Sequence, residues 1–143
     1  MGLFSFLRGK GKKLGDAQAA DMPARADFEQ ELAELGLDTQ GLDIEVEPTS
    51  HKVRLKGAAK DQETKEKVIL AVGNVEGVAE VEDETPGDAP RLHTVEAGDT
   101  LWAIAEKTLG DGARFQEIFE ANRPMLADPD RIYPGQVLRL PPA

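Results

Sequence analysis

Residues 83–90 read DETPGDAP. Two prolines and a glycine among three acids interrupt both helical and strand periodicity, so this stretch is predicted to link two separately folded parts. A chain of 143 residues has room for one average domain or two small ones. The composition on either side of DETPGDAP favours two, because the flanking halves carry unlike patterns.

Upstream, Ala24, Phe28, Leu32 and Leu35 recur at helical spacing, and Gly36 ends the stripe. Leu42, Ile44 and Val46 alternate, as do Val53 and Leu55, which predicts two strands joined by a turn at Pro48-Thr49-Ser50. Asp61 suits the N-cap of a second helix with Thr64, Val68, Ala71 and Val72 inward, closed by Gly73-Asn74. A third strand is expected at Gly77 to Val81. The order αββαβ gives helices on one face of a sheet.

Downstream, a short strand at Leu92 to Val95 precedes a helix capped by Asp99 and bearing Leu101, Ile104, Ala105 and Thr108. A further helix carries Phe115, Ile118, Phe119 and Asn122, and a strand at Val137 to Leu140 follows the turn Tyr133-Pro134-Gly135. The order βααβ lets the end strands pair. The fold class is therefore α+β: an N-terminal segment 1–22, a domain 23–84, a linker 85–90 and a domain 91–143.

The balance of 27 acids against 17 bases, −10 overall, opposes non-specific nucleic-acid binding, which needs phosphate-neutralising cations. There is no Cys, hence neither disulfide nor thiolate chemistry. Apolar runs are too short for a membrane span. The opening MGLFSFLRGKGKK is basic within an acidic chain, yet its apolar stretch precedes its charges and is too short for a secretory signal. Gly2 is present, but the sixth residue is Phe6 where a myristoylation motif wants Ser or Thr. A cytoplasmic protein is expected. Phe4, Phe6 and Leu7 are expected to pack the opening onto the first domain.

The stretch from His93 through Ala105, then Ile118-Phe119-Glu120-Ala121-Asn122 and Ile132-Tyr133-Pro134-Gly135-Gln136-Val137-Leu138, resembles a LysM domain. The first half resembles a BON domain through its element order and Val72-Gly73-Asn74-Val75-Glu76-Gly77-Val78. That pairing, behind a start such as Met1-Gly2-Leu3-Phe4, resembles the bacterial cytoplasmic potassium-binding proteins. The resemblance implies a monomeric K+ sensor or buffer, with the ion on the BON domain, contact between BON and LysM domains, and compaction on binding.

K+ is large and is preferred by sites whose neutral carbonyl oxygens replace its water shell. Clustered carboxylates favour Ca2+ or Mg2+ instead, and no EF-hand spacing occurs here. Two places could aim carbonyls inward. One is the helix end at Gly73, with its unpaired carbonyls and negative dipole end, followed by the tight turn between Asn74 and Gly77. The other is Arg8-Gly9-Lys10-Gly11-Lys12, where glycines alternate with outward cations. Carried over position by position, the resemblance implies carbonyl ligands from Leu7, Lys10, Lys12, Gly73, Val75 and Val78. The plainer alternatives are a solvated terminus and an ordinary helix-to-strand connection.

No nucleophile–base pair, phosphate loop or metal cluster suggests an enzyme. His51 and His93 read as surface or strand-edge residues, Trp102 and Phe119 as packing, and Glu80 to Glu84 as a solvated face. The competing function is glycan binding. The LysM resemblance implies an N-acetylglucosamine groove at Gly98, Asp99, Thr100 and Leu101, with Asn122, Arg123, Pro124, Met125 and the stretch near Ile132. In the cytoplasm that groove would not normally meet the cell wall, and the LysM domain could serve as a docking partner instead.

Overall fold

A computed structural model describes residues 2–6, 23–88 and 90–141. The chain divides into two compact units, Met1–Ala89 and Pro90–Ala143.

Unit one is built around a four-stranded sheet. Strand β1 is Gly2–Ser5, followed by helix α1 (Arg25–Glu34), β2 (Leu42–Glu47), β3 (Lys52–Gly57), helix α2 (Gln62–Gly73) and β4 (Glu80–Asp83). The sheet order is β1-β4-β3-β2. β2 and β3 form an antiparallel hairpin, whereas β3 and β4 run parallel and need α2 as their crossover. The opening is thus an edge strand antiparallel to β4, a role its few residues did not announce.

Pleating sorts the side chains. Phe4, Val81, Val53 and Val46 lie in one cross-strand row. The neighbouring row of Leu3, Glu82, Arg54 and Glu45 points to the opposite face. On that outer face Arg54 joins Glu47 and Glu82, each at 2.7 Å, and Lys56 joins Glu45 at 3.0 Å. The inner face is closed by α1 and α2, with Phe28, Leu32, Val53, Leu55, Val68, Ile69 and Val72 almost fully buried. Asp61 caps α2 as expected, its carboxylate accepting the Thr64 N–H at 2.8 Å. The third strand begins at Glu80 rather than Gly77 because the intervening residues form a turn.

Unit two pairs β5 (Leu92–Thr94) with β6 (Val137–Arg139), with α3 (Leu101–Leu109), a 3-10 turn at Gly112–Arg114 and α4 (Phe115–Ala121) between them. Its core joins Val95, Leu101, Ile104, Ala105, Ile118, Leu126, Leu138 and Leu140. Two expectations are corrected. Thr100, not Asp99, caps α3, its hydroxyl accepting the Ala103 N–H. Trp102 is not core: it is 52% exposed, with its ring over Gly112 and 6.0 Å from that of Phe115.

Candidate cation site

Helix α2 ends at Gly73 in a short turn. The Asn74 N–H reaches back to the carbonyls of Leu70 and Val72, that of Val75 to Val72, and that of Val78 to Val75 at 3.2 Å. Gly77 takes φ +105, a conformation that admits glycine and few other residues. Gly73, Val75 and Val78 are all buried. Carbonyls at a helix C-terminus lack onward intrahelical donors and together carry about half a negative charge. The Val75 oxygen, already accepting one N–H, keeps a second lone pair.

The opening strand meets this turn. Phe6 is buried, its N–H donates to the Ala79 carbonyl at 2.8 Å, and its ring lies against Gly73. A Cβ at Gly73 would collide with three Phe6 ring atoms, so only glycine admits the ring there. Phe6 ends the described part of the opening; Leu7, Lys10 and Lys12 lie outside the described residues. Of the six expected ligands, the structure therefore gathers Gly73, Val75 and Val78 in one turn.

The chemistry of this turn suits a large monovalent cation. Its oxygens are neutral main-chain carbonyls at the negative end of a helix. Among the described residues, no three His, Asp or Glu side chains gather as metal ligands. A divalent ion would call for such carboxylates.

At the other end of α2 lies a feature that the acidic run concealed. Lys65 and Asp83 form an ion pair at 2.9 Å with both side chains 4% exposed. The ammonium also donates to the carbonyls of Pro86 at 3.3 Å and Asp88 at 3.2 Å. Asp83 in turn accepts from the N–H and hydroxyl of Thr85. Asp83 is thus no solvated residue. The signal was its register: Val81 and Asp83 alternate toward the core.

In unit two, Gly98 takes φ +89 in the loop before α3. Asp99 accepts the Glu96 N–H at 2.9 Å and contacts Nε2 of His93 at 3.2 Å. The Glu96 N–H first, and the His93 hydrogen bond second, hold its carboxyl below the usual range. Thr100 is exposed at the helix cap, and Leu101 is buried. Asn122 is 2% exposed and fully engaged, donating to Ile118 and Arg139 carbonyls and accepting the Arg139 N–H at 2.7 Å. Arg123 and Pro124 are exposed, with the Arg123 guanidinium 5.6 Å from the Phe119 ring centroid; Met125 and Ile132 are half-buried. Among the described residues, no helix is long and apolar enough to cross a membrane.

Comparison with known families places a BON domain at residues 21–85 and a LysM domain at residues 93–141. The chain is similar to the potassium binding protein Kbp of Escherichia coli O6:H1, at 43% identity over 149 aligned positions covering 99% of both chains. It is 34% identical to an uncharacterized protein of Deinococcus radiodurans over 68% of this chain and 44% of that one. It is also 34% identical to the uncharacterized protein YqbP of Bacillus subtilis over 37% of this chain and 28% of that one.

Proposed function

The chain, with its BON and LysM domains, belongs to the family of the potassium binding protein Kbp, and we propose that it too binds K+, as a non-enzymatic cytoplasmic sensor or buffer. The ion is held by the carbonyl oxygens of Gly73, Val75 and Val78 at the end of α2, completed by those of Leu7, Lys10 and Lys12 from the opening. Such a ring of neutral oxygens replaces the hydration shell of a large ion without charged ligands. The net charge of −10 raises the local concentration of cations around it. Ligands from two distant segments make binding a closure, with compaction of the chain as its consequence.

The observation that carries this reading is the Phe6 ring on Gly73. It tethers the opening, up to its sixth residue, to the helix end from which the other proposed ligands are drawn.

A ligand that binds only the folded state stabilises it by about 2.7 kcal/mol at ~100 times its dissociation constant. Thermal melts in KCl and NaCl at equal ionic strength test the proposal. A larger rise of Tm in KCl is expected, and identical melts in the two salts would refute selective binding.

A further inference from the structure

We infer that His51, in the β2–β3 turn, is a positioning residue for the cation-binding carbonyls; this rests on the reading that the ion sits at the α2 turn. His51 takes φ +53, a left-handed conformation disfavoured for a residue with a side chain. A glycine would fill that position without strain. What the imidazole adds is a hydrogen bond: Nδ1 lies 2.8 Å from the Gly77 carbonyl oxygen. A carbonyl only accepts, so Nδ1 carries the proton and donates.

The main chain of the same residue grips the other side of Val78. The His51 carbonyl accepts the N–H of Ala79 at 2.8 Å and of Glu80 at 3.3 Å. In a planar trans peptide the C=O points opposite to the N–H. The Ala79 N–H aimed at His51 therefore turns the Val78 carbonyl away from it. The imidazole, meanwhile, draws the Gly77 carbonyl toward His51. Two successive carbonyls are thus set in opposing directions, with Gly77 spent on the histidine and Val78 released toward the far side. This explains why Val78, and not Gly77, is available as a ligand.

The test uses the full chain and three proteins: wild type, His51→Gly and His51→Asn. Glycine keeps the main-chain bonds and relieves the left-handed strain, removing only the ring. Asparagine tolerates that conformation and carries an amide N–H2 where Nδ1 stood. Melts in NaCl read the fold, and calorimetric titration with KCl reads the ion. His51→Gly is expected to melt in NaCl at or above the wild-type temperature while binding K+ about three- to tenfold more weakly, the size of one hydrogen bond. His51→Asn is expected to stay within about twofold of wild type. Unchanged K+ affinity in His51→Gly would overturn the positioning role. Equal weakening in both variants would overturn the assignment to the Nδ1 donor. Wild type lacking any preference for K+ over Na+ would instead overturn the underlying site.

Discussion

The two ends of helix α2 offer a cation different chemistry. Near its start, the Lys65 ammonium sits buried among the Asp83 carboxylate and the carbonyls of Pro86 and Asp88. At its finish, the turn of Gly73, Val75 and Val78 offers main-chain carbonyls and, in the reading above, takes a free K+. The helix dipole accounts for the contrast. Its positive end opposes a cation beside the first turns, so a full carboxylate is needed there to hold one. Its negative end favours a cation, so neutral oxygens suffice. A carboxylate at the second place would invite divalent ions and strongly hydrated competitors.

Breaking the tethered cation gives the largest expected effect. Lys65→Met leaves Asp83 buried and unpaired, which costs about 3–5 kcal/mol. The loss should appear as a lower Tm in NaCl, whereas the additional rise in KCl should persist because the other end of the helix is untouched. Replacing both partners, Lys65→Met with Asp83→Leu, should recover only part of the loss, since it removes the unpaired charge but leaves the buried Thr85 N–H and hydroxyl without their acceptor. If Lys65→Met abolishes the KCl increment as well, the two ends are not separable.

Next in size is Gly73→Ala. Its methyl would collide with the Phe6 ring, which must leave its place. Overpacking of this kind costs about 1–3 kcal/mol, partly offset by the better helix propensity of alanine, roughly 1 kcal/mol. The decisive readout is the salt comparison rather than the baseline. The KCl increment should vanish because the opening no longer reaches the helix end. An increment equal to that of wild type would separate Phe6 from ion binding.

The contrast between the ends was partly legible in the sequence. The helix itself was plain from its apolar spacing, the Asp61 cap and the Gly73-Asn74 stop, because these are local signals. So was the hairpin, through its alternating Ile44, Val46, Val53 and Leu55. Lys65 and Asp83 were not, since each looks like an ordinary solvated charge until the parallel β3–β4 pairing brings the end of β4 beside α2. Strand β1 was missed for a related reason: its partner is the last strand of the unit, and Phe4 and Phe6 alone are too few to show a period. In unit two, the exposure of Trp102 was hidden because spacing alone does not tell a core aromatic from one lying over a glycine. The histidine at 51 read as surface because its partner, the Gly77 carbonyl, is main chain and leaves no mark in the sequence.

The smallest expected effect concerns the cap that begins α2. The Asp61 carboxylate accepts hydrogen bonds from Thr64, and the Thr64 side chain first, with its N–H second, holds the carboxyl below the usual carboxylate range. A carboxyl depressed in the folded state adds stability above its unfolded value, near 3.9 for Asp, and loses it as pH falls through the folded value. Asp61→Asn keeps the acceptor oxygen and removes the charge. Wild type should therefore melt slightly above the variant at neutral pH, with the gap closing on acidification below about pH 4. A gap that stays constant down to acid pH would mean that the hydrogen bond alone, not the negative charge at the positive end of the helix, makes the cap. In that case the dipole would lose its standing as the reason why Lys65 needs a carboxylate beside the first turn of α2, while carbonyls suffice in the site proposed at the other end.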